Sequence, residues 1–437
     1  GLTSYYPIDK RDIVNIPEVV VPKNNPERYS DYTIAKTINI EMCVMSQKQF
    51  EKYESAWMSE RERNIQFNRK SMYSTDNFDY NINTRRVCNM VYDNDTFRTI
   101  DRKTDKSQYL SEKEREYTKL SDDLVINRGL QTYSPKFNRI LNNIQKYIKD
   151  GISTGKILFY SDFRADAGSE IFERVLQANG YAKYDGKEMS TKRLRYTFIT
   201  GEEKKRDIQK NLTAYNQSDN KRGEYIQIMI ISSAGAEGIS LYCVRQVHIL
   251  EPYWNYVRIN QVFGRAIRLK SHVELPPDER TVEEYLYLSV FPSGDNVKQI
   301  YESLTKIDTW INLLSGINPD LIDTERDLSE NHGEVYDTLS RIVRVKTESI
   351  TSKSVGVTID QKIFDIMEDK NSIAEELTDV IKESSVDCVE NTRDDVNIHK
   401  NCVQFDEKLQ DEVAYFPGLS ADRLSEVDRT QLKAKYS

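Results

Sequence analysis

Two short stretches of the sequence carry residues suited to phosphate chemistry. In Q-V-F-G-R-A-I-R, residues 261–268, Gln261, Arg265 and Arg268 surround Gly264. The three-residue spacing predicts that Arg265 and Arg268 share one face of a helix. Planar guanidinium groups on one face suit a phosphoryl group whose charge spreads over its oxygens during transfer. The second stretch is S-S-A-G-A-E-G-I-S-L, residues 232–241. Here Gly235 and Gly238 let backbone approach a ligand closely. Ser232, Ser233 and the loop N–H groups suit phosphate oxygens, and Glu237 can accept from a ribose hydroxyl or a neighbouring arginine. Each stretch alone has a plainer reading, as a salt-bridged helix face or a small-residue turn. Roughly 25 residues apart in one domain, they reinforce each other.

Other groups are weaker. G-K-I-L at 155–158 is not a phosphate loop: Gly151 lies one residue too close, and Ile157 stands where a hydroxyl would hold magnesium. No D-E-x-[DH] motif follows an apolar strand. Cys388, His399 and Cys402 lack the tight pairs and the fourth ligand of a zinc site. The basic runs at 192–195 and 113–119 read as solvated faces, either of which could line a nucleic-acid path.

The elements that must position these residues start near residue 136. K-F-N-R-I-L-N-N-I-Q-K-Y-I-K-D reads as an amphipathic helix stopped by Gly151. Five apolar runs follow, at 156–161, 195–201, 225–234, 246–252 and 283–292, separated by helical patterns of ten to fifteen residues. Strands alternating with helices predict a parallel sheet covered on both faces, an α/β domain. The arginine stretch falls on the helix after the fourth strand, where Gly264 is expected to let that helix pack close to the glycine-rich loop. Upstream, 8–26 reads as extended, 46–70 as a charged helix and 71–106 as loop or irregular insertion. Downstream, 297–316 and 359–388 read as helices, 328–354 as a weaker helical stretch, and the region beyond 390 as an irregular tail. The resulting organisation is a mixed or irregular N-terminal region (1–130), the α/β domain (131–295), a helical extension (296–390) and a tail (391–437). The first residues, G-L-T-S-Y-Y, carry no initiator methionine, so the sequence is expected to be a piece of a longer protein.

Composition limits what the chain can be. With 437 residues, 38% of them hydrophobic, it has material for a sizeable core, which argues against wholesale disorder. No apolar run reaches the ~18 residues of a membrane span. Five scattered cysteines, Cys43, Cys88, Cys243, Cys388 and Cys402, suggest a reducing compartment. The net charge of −8 does not exclude nucleic acid, because local patches outweigh the total.

F-Y-S-D-F, S-S-A-G-A-E-G-I-S-L and Q-V-F-G-R-A-I-R resemble, in order and spacing, motifs IV, V and VI of superfamily 2 helicases. The α/β domain therefore resembles the second RecA-like domain of that superfamily. S-P-K-F-N-R-I-L, E-P-Y-W-N and I-D-Q-K-I-F-D-I-M-E-D-K extend the likeness to ATPases of nucleocytoplasmic large DNA viruses. These include poxvirus nucleoside triphosphate phosphohydrolase I, the early transcription factor ATPase and their African swine fever virus relatives, a family related to Swi/Snf-type translocases. The resemblance covers most of 130–390.

The resemblance implies a set of roles. Arg265 and Arg268 would reach across a cleft to ATP, with Gln261 near the γ-phosphate or in a coupling contact. Gly235, Glu237 and Gly238 would sense both nucleotide and nucleic-acid backbone. Ser161, Thr200 and Ser233 would touch phosphates of the tracked strand. ATP and Mg2+ would be held mainly by a first RecA-like domain outside this sequence, without which the chain is expected to be inactive. Nucleic acid, DNA or RNA, is the implied partner, with viral RNA polymerase or transcription factors as further partners and no membrane. The implied location is the host cytoplasm, in the viral factory, and the virion. Gln261 stands where many relatives have histidine, which leaves the subgroup open. So do two other readings: a non-enzymatic module that binds RNA polymerase or a transcription factor on a RecA-like scaffold, and a double-strand translocase that never separates strands.

Overall fold

The computed structural model describes residues 16–68, 81–92, 127–164, 167–186, 194–199, 205–232, 238–292 and 357–383. Their centre is a parallel sheet. Its main strands are β5 (Lys156–Tyr160), β7 (Arg195–Ile199), β8 (Ile228–Ile231), β9 (Val244–Ile249) and β10 (Thr281–Val290). The order β10-β9-β5-β8-β7 continues to a two-residue strand, β6 (Ala182–Lys183), at one edge. Every residue of β5 and β8 is buried, which is why these strands read as unbroken apolar runs and not as alternating ones.

Alternate residues of each strand feed two cores. Leu158 and Tyr160 of β5 pack with Met229 and Ile231 of β8 under α6 (Lys205–Asn216) and α7 (Tyr256–Ala266). Ile157 and Phe159 face the other way, toward α4 (Pro135–Gln145) and α5 (Ser169–Ala178). There the Phe172 ring stacks 4.0 Å from Phe159 and 5.6 Å from Phe137. The sheet thus carries helices on both faces, and the chain is α/β as its strand and helix pattern predicts.

The sheet also extends into the N-terminal region. β1 (Glu18–Val19) and β2 (Asn39–Val44) both pair in parallel with the outer edge of β10, in the register Tyr285↔Asn39 to Val290↔Val44 for β2. The mixed pattern of N-I-E-M-C-V gives little hint of a strand; its partner supplies the burial. α1 (Gln47–Asn68) follows, close to the expected 46–70. Within the expected irregular stretch 71–106, Ile82–Asn89 is instead a helix, α2. Its own N-cap, Asn81, makes no side-chain capping bond. Glu60 of α1 supplies the acceptors, taking bonds from the Asn83 N–H (2.6 Å) and the Thr84 N–H (3.2 Å). That cap is tertiary and invisible in a local pattern.

A further correction falls at the end of α4, which follows the short helix α3 (Asn127–Tyr133). The expected helix through Asp150 stops at Gln145, and Ile148–Lys149 (β3) pairs antiparallel with Ile152–Ser153 (β4). Asp150 (φ 52°) and Gly151 (φ 73°) both take the left-handed conformation, the Asp-Gly signature of a two-residue hairpin turn.

The last described element, α8 (Ile359–Glu383), agrees with the helix expected at 359–388 over most of its length. Its first turns are locked to the sheet and to the N-terminal region. Thr358 Oγ1 donates to the Ser289 carbonyl (2.6 Å), the Ile359 N–H donates to the Tyr53 hydroxyl (2.8 Å), and Phe364 meets Tyr29 edge-on at 5.0 Å. The predicted helical stretches 297–316 and 328–354, and the tail with Cys388, His399 and Cys402, lie outside the described residues. No described helix is long and apolar enough to cross a membrane. The three described cysteines, Cys43, Cys88 and Cys243, are buried free thiols.

Candidate functional site

All strands of the main sheet are parallel, so their carboxyl ends open on one edge, where ligand loops of α/β folds gather. The loops after β5 and β9 lie on this edge, as does Ser232 just after β8, while the described exit of the glycine-rich run, 238–243, leads into the amino end of β9. The helix bearing the arginines, α7, leaves the loop after β9. It starts cleanly because Asn255 acts as N-cap, its Oδ1 accepting from the Val257 N–H at 2.9 Å. Ile259, Val262, Phe263 and Ala266 bury one stripe of the helix. Gln261 is exposed and Arg265, four residues later, is half-buried on the same side.

Arg268 is not on that shared helix face. The helix ends at Ala266, and Ile267 leaves the helical region (φ −102°, ψ 91°). Arg268 folds back over the end: its Nε donates to the Gly264 carbonyl (2.9 Å), satisfying an acceptor that the helix terminus leaves open. Its Nη1 donates to Ser240 Oγ at 2.5 Å. A backbone bond runs beside it, from the Leu241 N–H to the Arg265 carbonyl (3.0 Å). The end of α7 and the exit of the glycine-rich stretch are therefore one hydrogen-bonded unit. Gly238 lies in that exit with φ +74°, a conformation that strains any side chain. Gly235, Glu237, Ser233 and Thr200 lie outside the described residues. The centre of the glycine-rich stretch, against which Gly264 is expected to let the helix pack, lies outside the described residues; among those described, no atom beyond its chain neighbours and the helix's own backbone lies within 4 Å of a Cβ built at Gly264.

Ser161 is placed in the interior. It is fully buried, and its hydroxyl lies 3.0 and 3.1 Å from the two carboxylate oxygens of Glu251. Facing inward, it does not present its hydroxyl to a strand passing over the loop. Glu251, at the end of β9, also accepts from the Asp162 N–H (2.5 Å) and the Phe163 N–H (3.4 Å). Burial and then the nearby Asp162 push its carboxyl up to about 7, against Lys136 and Arg85, which pull it down.

Several residues that shape this edge escape the motif reading. Arg258 pairs with Asp162 at 2.6 Å, reaches the Tyr160 hydroxyl (3.2 Å) and lies 4.2 Å over the Tyr253 ring. It holds the start of α7 to the loop after β5, as Arg268 holds its end to the glycine-rich exit. A sequence signal for it exists, since Arg258, Gln261 and Arg265 recur at helical spacing. Asn89, Lys136 and Asp360 come from three distant segments and carry no such signal. Among the described residues, no group of three or more His, Cys, Asp or Glu side chains is placed to hold a metal ion.

Residues 138–270 match the family described as helicase conserved C-terminal domain. A putative ATP-dependent RNA helicase of Acanthamoeba polyphaga mimivirus is 30% identical over 211 residues, covering 48% of this chain and 33% of that protein. A termination factor NPH-I homolog of African swine fever virus (isolate Pig/Kenya/KEN-50/1950) is 36% identical over 195 residues, 37% of this chain and 26% of the relative. An early transcription factor large subunit homolog of the same virus species (isolate Tick/Malawi/Lil 20-1/1983) is 32% identical over 186 residues, 38% and 17% of the two chains. The matched part thus spans a third or less of these relatives. Residues 138–270 are a helicase C-terminal domain, and the homologues named here are helicase-type proteins of mimivirus and African swine fever virus, both nucleocytoplasmic large DNA viruses.

Proposed function

We propose that this chain is the arginine-bearing part of a viral superfamily 2 ATPase that moves on nucleic acid. The observation that carries the reading is the union of the end of α7 with the glycine-rich exit, through the Arg268–Ser240 and Leu241–Arg265 bonds. It ties the Arg268 side chain and the backbone of Arg265 to the exit that follows the left-handed Gly238, a grouping of guanidinium and backbone donors of the kind that suits the oxygens of a polyphosphate. ATP supplies the phosphoryl group that is transferred to water. Arg265 and Arg268 would hold its developing charge, and Gln261 would lie alongside. A first RecA-like domain outside this sequence would hold Mg2+ and most of the phosphate contacts.

Nucleic acid would cross the carboxyl edge of the sheet, over the loops after β5 and β9, with movement driven by opening and closing of the cleft between two such domains. The names of the African swine fever virus relatives favour a role in viral transcription, with viral RNA polymerase or transcription factors as partners, in the host cytoplasm and the virion. The test is nucleic-acid-stimulated ATP turnover by the full-length protein. Turnover should fall at least a hundredfold in Arg265→Ala. Full stimulated turnover in that variant would overturn the reading.

A further inference from the structure

At the carboxyl edge, α2, the start of α4, the start of α8 and the ends of β5 and β9 converge on one buried polar cluster. Its hub is Asn89, fully buried at the end of α2. Asn89 Nδ2 donates to Glu251 Oε2 (3.2 Å) and to the Ala167 carbonyl (3.1 Å). Its Oδ1 accepts from Lys136 Nζ at 2.9 Å. Lys136 also donates to the Leu250 carbonyl (3.0 Å) and pairs with Asp360 of α8 at 2.6 Å, both side chains being inaccessible to solvent. Asp360 in turn accepts from the Ser289 N–H on β10 (3.0 Å).

The far end of this chain of bonds is Glu251, which holds the Asp162 and Phe163 N–H groups and the Ser161 hydroxyl. Three successive residues at the start of the loop after β5 thus share one carboxylate acceptor, and that carboxylate is held laterally by Asn89. α2 touches the loop a second time, through Arg85, whose guanidinium lies 5.0 Å over the Phe163 ring and 3.5 Å from the Pro252 carbonyl.

We propose that Glu251, Asn89, Lys136 and Asp360 form a relay through which α2 and α8 set the shape of the loop after β5. The loop is a clamp on the nucleic-acid path, a clause that rests on the function proposed above. The relay consists of positioning residues, since none of the four faces solvent. Two features favour a relay over mere filling of a polar interior. A buried ion pair is seldom a net source of stability compared with apolar residues of similar volume, so its presence calls for another reason. In addition, its members come from segments far apart in the chain, and two of them, Asn89 and Glu251, bond directly to the loop after β5.

Amide hydrogen exchange on the 437-residue chain decides it. Asn89→Leu severs the relay and also removes the bond to the Ala167 carbonyl, whereas the double variant Lys136→Met with Asp360→Leu severs it without touching the loop. In both, exchange at the Asp162 and Phe163 amides should speed up at least tenfold, while Ile228–Ile231 of β8 keeps its protection. The double variant removes both charges together, so it guards against an Asn89→Leu chain that fails to fold. Loop exchange unchanged in the double variant, with β8 still protected, would overturn the relay. Oligonucleotide affinity, read by anisotropy on the same proteins, should fall at least threefold in step with loop exchange. Loosened loops with parental affinity would overturn the clamp and keep the relay. A parent chain that binds no oligonucleotide would count against the proposed function alone, because loop exchange by itself settles the relay.

Discussion

At the scale of single residues, the site combines groups whose roles differ in kind. Gly238 is required by its backbone: Gly238→Ala forces a side chain into a left-handed conformation and should cost about 1 kcal/mol or more in chemical denaturation. Gly264 is its opposite, a helical glycine beside open space among the described residues. Gly264→Ala should therefore stabilise α7, by roughly 0.5–1 kcal/mol, and a lower denaturation midpoint would show that the space is needed within the fold. Glu284 on β10 tests burial of charge. It is 4% exposed, and no hydrogen bond or ion pair to its carboxylate is found among the described residues. Burial pushes its carboxyl from the ordinary 4.5 up to about 8. The folded chain therefore keeps a proton that the unfolded chain releases. Stability from this group is complete below about pH 4.5 and is lost as pH rises toward 8. Glu284→Gln should raise the melting temperature at pH 8.5 by several degrees, corresponding to a few kcal/mol at most (roughly 2–4 °C per kcal/mol), with little difference at pH 4.5. An equal gain at both pH values would refute this account of Glu284.

At the scale of elements, α7 works as a bar pinned at both ends, to the loop after β5 by Arg258 and to the glycine-rich exit by Arg268. Arg258→Ala should loosen the first pin without unfolding the sheet. Its half-exposed ion pair with Asp162 contributes about a kcal/mol or less, so the melting temperature should move by no more than a few degrees. A loss of the cooperative transition would show that Arg258 is instead part of the core. Much of this layer is legible in the sequence. The strands β5, β7, β8, β9 and β10 stand out because parallel strands buried on both faces are unbroken apolar runs. α7 stands out because Asn255 caps a stripe of apolar residues. What is not legible depends on contacts between distant segments. β2 is a strand because β10 offers it an edge, and α2 is a helix because Glu60 of α1 caps it. Spacing makes Arg268 a helix residue, because it cannot show that Ile267 turns away. Ser161 reads as an outward hydroxyl at a strand end, and only the fold reveals the carboxylate of Glu251 behind it. Asn89, Lys136 and Asp360 are 47 and 224 residues apart along the chain, a separation that no local pattern can bridge.

At the scale of the whole molecule, the proposed function makes the chain one side of a cleft. By itself it should bind oligonucleotides weakly, with affinity falling steeply as salt rises, because the contacts of one such domain are directed at phosphates. Tight, salt-insensitive binding in an anisotropy series would favour a specific recognition module over a moving ATPase. The central claim, that Arg268 serves ATP chemistry as well as closing the end of α7, is tested most directly by single-turnover ATP hydrolysis in the full-length protein. Parent, Arg268→Ala and Ser240→Ala are compared, each with its melting temperature and ATP affinity. A guanidinium aimed at charge developing on the γ-phosphoryl group acts mainly in the transition state, and such arginines contribute roughly 10³–10⁵ in rate. Arg268→Ala should therefore slow hydrolysis by about a thousandfold with ATP affinity nearly unchanged, Arg268→Lys should not restore it, and Ser240→Ala should have a much smaller effect. Hydrolysis within a few-fold of the parent in Arg268→Ala would mean that this arginine only caps a helix, and would contradict the account.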